Sequence, residues 1–118
     1  MLVSDILSAA ISWHPAPGDL VLLAGRSGDL AVIETALATL PARARGQVFV
    51  EVESGGEVRA LNAPGRVCVT WLVREQGRSL DAALGAWLAE MLPVEAEREH
   101  RVYAWIAGER TARMLTSS

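Results

Sequence analysis

The chain has 118 residues, of which 51 % are hydrophobic, and this allows one compact domain without metal or disulfide staples. Its net charge is −3 and its 11 basic residues are scattered, so a nucleic-acid partner is not expected. No apolar run reaches the roughly 20 residues that span a bilayer, and residues 1–10 lack a basic leader, so we expect a cytoplasmic protein without a membrane partner.

The one cysteine, Cys68, lies in an apolar run, which predicts a small buried side chain in a reducing compartment. The two histidines, His14 and His100, are far apart and have no cysteine or carboxylate at metal-ligand spacing, so no metal site is predicted. A GxSxG turn is absent from the sequence, and we predict no catalytic residue.

Apolar residues recur at helical spacing over 2–13, and the prolines and glycine of 12–18 end this predicted helix. Residues 19–24 then form a short run that is continuously apolar after Asp19 and is followed by Gly25, which is typical of a strand buried on both faces of a parallel sheet. A second helical stripe follows over 30–40 and is closed by Pro41.

Two further strands come next. Residues 47–53 alternate loosely, which predicts a less covered strand, and residues 66–74 are the most β-prone stretch of the chain. A helix is predicted from the N-cap Ser79 to Pro93, followed by a solvated turn or short helix over 95–101.

Residues 102–107 predict a fourth strand, and a last short helix is expected from Gly108 to the end of the sequence. Alternating strands and helices favour an α/β fold, with a parallel sheet of about four to five strands flanked by helices. We therefore predict a single domain over 1–118, composed of an N-terminal helix over 2–13 and an α/β core over 19–116.

Four tryptophans are many for this length. Trp71, Trp87 and Trp105 fall on apolar patterns, so we expect them in the core or partly covered by a partner. Trp13 is the one expected at a surface or interface.

Three predicted loops lie where open parallel sheets bind ligands, beyond the carboxyl ends of the strands. In the first, Gly25, Arg26, Ser27 and Gly28 lead from a buried strand into a helix, and their backbone N–H groups suit a phosphate. Asp29 would repel that phosphate, so a tight turn capped by Ser27 or Asp29 stays open as the alternative.

The second loop carries Arg74 and Arg78, two arginines that could clamp a phosphate after the third strand. Glu75 is an equally good partner for them, so a solvated loop is the alternative. In the third loop, Gly108 followed by Glu109 would let a flat ring approach the backbone, or would form a plain strand-to-helix turn.

Four blocks of this sequence, in order and at compatible spacing over 18–115, resemble the siderophore-interacting proteins of the ferredoxin–NADP reductase superfamily. They are Leu22-Leu-Ala-Gly25, Gly46-Gln-Val-Phe-Val-Glu-Val52, Val69-Thr-Trp-Leu-Val-Arg74 and Tyr103-Ala-Trp-Ile-Ala-Gly-Glu109. The resemblance implies a Rossmann-like NAD(P)-binding domain, which in that family follows an FAD-binding barrel. It also implies an oxidoreductase context, in which hydride passes from NAD(P)H to flavin and the electrons then reduce a ferric siderophore and release iron.

By this resemblance Gly25 stands in the turn that faces the pyrophosphate, Arg74 meets the adenosine phosphate of NADPH, and Gly108 and Glu109 border the nicotinamide. The first loop departs from the family pattern, of which only Gly25 and Leu30 persist. The family's flavin-binding motif is not found in this sequence, so the cofactor expected is NADPH or NADH, with no FAD site in this chain.

Two functions stay open. In the first, the chain is a siderophore-interacting-protein-like domain without catalysis of its own, and helix 2–13 covers the apolar face where a flavin domain would attach, or forms a homodimer. In the second, it is an NAD(P)H-binding subunit that supplies hydride to a separate FAD-binding partner for ferric-siderophore reduction.

Overall fold

The computed structural model describes residues 13, 15–98, 100–106 and 113–115, the last of these for their backbone alone. Helices and strands follow in the order β1 (Leu20–Arg26), α1 (Leu30–Ala38), β2 (Arg45–Val52), β3 (Arg66–Val73), α2 (Leu80–Glu97), β4 (Val102–Ile106) and β5 (Arg113–Leu115). Short 3-10 turns follow β1, β2 and β3 at Ser27–Asp29, Gly55–Glu57 and Arg74–Gln76.

The strands form one sheet in the order β3-β2-β1-β4-β5. β1 pairs in parallel with β2 and with β4, β2 pairs in parallel with β3, and β5 is antiparallel to β4. The predicted α/β fold with a parallel sheet flanked by helices is confirmed. Because the chain moves from β1 outward to β3 and then returns to the other side of β1, the strand order reverses between β1 and β4.

Both faces of the sheet are covered, which explains why β1 is apolar at every position up to its last residue. Helix α1 packs on one face through Ile33, Ala36 and Leu37, against Val21, Leu23, Val48 and Val50. Helix α2 packs on the opposite face through Leu80 and Leu84, against Leu20, Leu22, Phe49 and Leu72. The core therefore consists of two apolar layers that the sheet separates.

Strand β2 is not the less covered strand that its loose alternation predicts. It lies between β1 and β3, and all of its residues from Val48 to Val52 are buried. The polar residue that breaks its apolar pattern, Glu51, is buried because it has ionic partners, and burial of a paired carboxylate is tolerated.

The predicted last helix is wrong at residues 113–115, which form β5 beside β4. A short segment is a poor helix former in isolation, whereas the edge of β4 offers unpaired backbone groups, so strand pairing prevails. Residues 107–112 and 116–118 lie outside the described residues, as do residues 2–12 of the predicted N-terminal helix.

Helix α2 does not end at Pro93 but continues to Glu97, so the predicted turn over 95–101 begins later. Glu95 is 1 % exposed, and its Oε1 lies 2.9 Å from Nη1 of Arg45 at the start of β2. This ion pair fixes the last turn against the sheet, which offsets the backbone hydrogen bond that Pro93 cannot donate.

Trp13 is buried, contrary to the surface position predicted for it. Its ring meets the Tyr103 ring edge-on with centroids 5.4 Å apart, and its Nε1 donates to Thr39 Oγ1 at 3.1 Å. The indole thus closes the α1 layer of the core with its polar atom satisfied. Trp105 is buried as predicted, and Trp71 and Trp87 are half-buried.

Cys68 is exposed, and the prediction of a buried thiol is wrong. It lies on β3, the edge strand, where residues alternate between faces and the preceding residue, Val67, is the buried one. Within the described part of the chain, no helix is both long enough and apolar enough to cross a membrane.

Gly46 allows β2 to approach β1 closely. A Cβ at this position would lie 2.4 Å from the carbonyl oxygen of Val21, and a backbone atom in a central strand has little room to move. We expect Gly46→Ala to lower the free energy of unfolding by about 1–3 kcal/mol, measured by urea denaturation. Gly65→Ala is the control, since a Cβ there meets nothing within 4 Å. Equal urea midpoints for the two variants would contradict the tight β1–β2 contact.

Candidate functional site

The strand order reverses beside the carboxyl ends of β1 and β4, and this is where open parallel sheets bind ligands. Because β1 and β3 both end at this edge, the loops that follow them begin there. The sheet thus brings Gly25, Arg26 and Arg74 to one rim, as expected. The predicted residues of the third loop, Gly108 and Glu109, lie outside the described residues.

A carboxylate, Glu51 on β2, lies at the centre of this rim. Its side chain is 6 % exposed, and its Oε2 accepts the backbone N–H of Leu80, the first residue of α2, at 2.7 Å. Its Oε1 accepts from Nε of Arg26 at 3.1 Å and lies 4.0 Å from Nη1 of Arg74. Arg26 and Glu51 are register partners on β1 and β2, which explains why their side chains meet.

Arg74 also pairs with Glu53, whose Oε1 lies 3.4 Å from Nη1 of the arginine. The acidic partners of Arg74 are therefore Glu51 and Glu53 rather than Glu75, the partner proposed for the solvated-loop alternative. We call Arg26, Glu51, Glu53 and Arg74 together the Glu51 rim. The guanidinium side chains of this rim, 59 % and 57 % exposed, keep most of their surface open to solvent.

The turn after β1 is closed by its own aspartate. Asp29 Oδ2 accepts the backbone N–H of Arg26 at 2.9 Å, so this donor is already occupied. A Cβ at Gly25 would lie 2.9 Å from the Cβ of Asp29, which means that the glycine makes room for this carboxylate. Ser27 and Gly28 are exposed at the tip of the turn.

Arg78 is exposed in the short connection between β3 and α2, and its side chain makes no ion pair with the residues described by the structure. The next residue, Ser79, is the N-cap of α2 as predicted, and its Oγ accepts the N–H of Ala82 at 3.3 Å. Arg78 is therefore a further cation near the start of the helix on which Glu51 is anchored.

Sequence reasoning missed Glu51 and Glu53. The available signal was an acidic residue inside a run of buried β-branched residues, Val50-Glu51-Val52, at the end of a strand. A carboxylate in that position needs cationic or N–H partners, and β1 and the turn after β3 provide them in Arg26 and Arg74.

The rim is electrostatically balanced. The hydrogen bond from the Leu80 backbone lowers the pKa of Glu51, burial opposes this effect, and the hydrogen bond from Arg26 and the charges of Arg26 and Arg74 lower the pKa further. Glu51 is thus an anion at neutral pH that orients two cations. Among the described residues no group of three or more His, Cys, Asp or Glu is arranged to hold a metal ion.

A sequence profile of the siderophore-interacting protein family matches residues 18–116 of the chain. Ferric vibriobactin reductase ViuB of Vibrio cholerae is 30 % identical over 105 residues, which are 89 % of this chain and 35 % of that protein. The chain thus spans about a third of the length of the curated relatives that it matches.

Two crystal structures share the fold. The siderophore-interacting protein SipS from Aeromonas hydrophila aligns with a TM-score of 0.53 at 22 % identity, over 79 % of this chain and 39 % of that one. A siderophore utilization protein from T. fusca aligns with a TM-score of 0.53 at 22 % identity, over 82 % of this chain and 48 % of that one. At this identity the likeness is one of fold.

The lowered pKa of Glu51 predicts acid-sensitive stability. Because the folded-state pKa lies below the unfolded value of about 4.3, the stabilisation is complete at higher pH and is lost as pH falls through the folded-state pKa. We expect Glu51→Gln to be less stable than the wild type at pH 7 and the difference to shrink towards pH 3, measured by urea denaturation.

Glu53→Gln is the matched control, because that side chain is 73 % exposed and its ion pair is screened by solvent. We expect this variant to follow the wild type at every pH. A stability loss for Glu51→Gln that stays constant down to pH 3 would contradict a charged, paired Glu51.

Proposed function

The chain belongs to the siderophore-interacting protein family, and from that premise we propose that it is a nicotinamide-dinucleotide-binding domain of a ferric-siderophore reductase system. In this proposal NADPH or NADH is held at the Glu51 rim, and the chain performs no catalysis alone. The observation that carries the proposal is the pair of exposed arginines, Arg26 and Arg74, that one buried carboxylate orients at the carboxyl edge of a parallel sheet.

The guanidinium groups fit the phosphates of a dinucleotide. A guanidinium presents two parallel N–H donors that match phosphate oxygens, and both arginines of the rim keep more than half of their side chain exposed. Glu51 already holds Arg26 through a hydrogen bond, so less side-chain entropy is lost at this arginine when a phosphate arrives. Arg78, exposed nearby, adds a third cation to the same edge.

A phosphate would replace Glu53 rather than Glu51. The Arg74–Glu53 pair lies in solvent, with Glu53 73 % exposed, and such pairs contribute little to stability. Glu51, in contrast, is buried and keeps its hydrogen bond from Leu80 when Arg74 turns outward. The proposed binding step is therefore an exchange of one carboxylate of Arg74 for a phosphate.

The chain's part in the reaction is binding and positioning. A bound nicotinamide supplies a hydride, and amino-acid side chains do not accept one, so the proposal assigns acceptance to FAD held by a separate flavoprotein. The flavin can take two electrons at once and pass them singly to ferric iron, which accepts one electron at a time.

A second candidate is a non-enzymatic interaction domain, and the turn after β1 favours it. Asp29 occupies the N–H of Arg26 and fills the space in front of Gly25, where the family resemblance would place the pyrophosphate. A negative charge at that point opposes phosphate binding. On this alternative the chain keeps the family fold and acts through a homodimer or a protein partner.

Calorimetric titration with NADPH and NADH separates the two candidates. We expect wild-type protein to bind NADPH more tightly than NADH, and Arg74→Ala to weaken NADPH binding about tenfold and abolish the preference, because a charge-assisted phosphate contact is lost. The melting temperature of Arg74→Ala should stay close to that of the wild type, because the Arg74 side chain is mostly exposed and its ion pairs contribute little to stability.

Arg59→Ala is the matched control, because Arg59 is also about half exposed and pairs with a glutamate, Glu34, on α1. It should bind both nucleotides as the wild type does. Absence of heat with folded protein at millimolar NADPH would overturn the proposal and leave the interaction domain, for which light scattering should then detect a dimer.

A further inference from the structure

The opposite edge of the sheet, where the strands begin, carries a second concave site. This cleft of about 400 Å³ lies between the residues that precede β1 and the loop that joins α1 to β2, and we call it the amino-edge cleft. Its volume is in the range of small-ligand sites. We infer that it binds a small organic anion, in which a carboxylate or phosphate group is attached to a flat apolar body.

The cleft has an excess of positive charge. Its lining residues in the described part of the chain include Arg43, Arg45 and Arg66, with Asp19 as the single acidic residue. Asp19 is 3 % exposed at its side chain and already neutralised, since its Oδ1 accepts from Nε of Arg101 at 3.3 Å and its Oδ2 from the N–H of Ala16 at 2.8 Å. Its charge is therefore not available to the other arginines.

Arg45 is fixed in place. Its Nη1 lies 2.9 Å from the buried Glu95, and its Nη2 donates to the carbonyl oxygen of Gly18 at 3.3 Å and lies 3.2 Å from Nδ1 of His100. Glu95 therefore compensates the charge of Arg45 and positions this arginine at the cleft. There 28 % of the Arg45 side chain is exposed.

Among the described residues, Arg43 and Arg66 have no acidic group that compensates their charge. Both are exposed, and neither has an ionic partner among the residues that the structure describes. Arg66 is also the register partner of Arg45 across β2 and β3, so two like charges face each other on adjacent strands. In a chain of net charge −3, this concentration of arginine favours an anionic ligand.

The other part of the lining is apolar. Pro15, Pro17, Leu40 and Pro41 provide rigid hydrocarbon surfaces, against which a flat ring can pack without ordering flexible side chains. The combination of rigid apolar walls with arginines matches an anion that carries a ring, because a bare inorganic ion would leave those walls unused.

This cleft is independent of the proposed nucleotide site. Arg45 begins β2 and Glu51 lies six residues further along the same strand, so the two sites are separated by roughly 20 Å of extended chain. Binding at one edge therefore does not require binding at the other, and failure of the NADPH titration would leave this inference standing.

The test uses four probes with the full chain: phenyl phosphate, benzoate, inorganic phosphate and the neutral benzamide. Binding is followed by backbone ¹H–¹⁵N NMR shifts. We expect saturable shifts at Gly18 and Ala44, which line the cleft, and with benzoate none at Gly25 or Gly77 on the opposite edge. Benzoate and phenyl phosphate should bind at least about tenfold more tightly than benzamide or inorganic phosphate, and their relative affinities identify the acid group that the cleft prefers.

The double variant Arg43→Gln/Arg66→Gln should weaken binding of the preferred acid about tenfold or more. Its control is Arg59→Gln, which removes a charge outside both proposed sites and should bind as the wild type does. Circular dichroism and the melting temperature establish that each variant is folded. If the double variant does not fold, the single variant Arg66→Lys, which keeps the positive charge, is used in its place. It should weaken binding less than Arg66→Gln.

Several results would overturn the inference. They are absence of saturable shifts for both acids, equal affinity for benzamide, equal affinity for inorganic phosphate, or an equal loss of binding per charge removed in the Arg59→Gln control. Absence of shifts would show that there is no site, and equal affinity for benzamide would show an apolar cleft that does not select for charge. The other two results would show a general effect of charge.

Discussion

The carboxylate of Glu51 connects three separate parts of the chain at the carboxyl edge of the sheet: the start of α2, the end of β1 and the turn after β3. Leu80, Arg26 and Arg74 each contribute a donor or a charge to it. A buried carboxylate without partners costs several kcal/mol, so these contacts are a condition for placing an acidic residue in a central strand. They also set the directions of the two guanidinium groups, on which the proposed nucleotide site depends.

Much of the framework was predictable from local patterns. The continuous apolar run of β1 indicated a strand covered on both faces, Ser79 indicated the start of α2, and the alternation of strands with helices indicated the parallel sheet. These features depend on neighbouring residues, and periodicity and capping report such local preferences. The placing of Gly25 and Arg74 at one edge then follows from the direction that parallel strands share.

Features that depend on distant contacts were not predictable in the same way. Arg26 and Glu51 are 25 residues apart, and only the pairing of β1 with β2 brings them together. The burial of Trp13 depends on Thr39 and Tyr103. The continuation of α2 past Pro93 depends on the ion pair with Arg45, and the formation of β5 depends on the free edge of β4. In each case tertiary contacts outweigh a weak local preference. The two edges also differ in charge: the charges are balanced at the Glu51 rim, whereas arginines are in excess at the amino-edge cleft. Amino-acid composition alone does not reveal this uneven distribution of charge.

We propose that Glu51 holds Arg26, and keeps Arg74 beside it, for the phosphates of a nicotinamide dinucleotide. A crystal structure of the protein with NADPH tests this most directly. We expect Arg74 to leave Glu53 and to contact a nucleotide phosphate, while Glu51 still accepts the Leu80 N–H and still holds Arg26. A nucleotide bound at another surface, or one bound at this edge while Arg74 stays on Glu53, would contradict it.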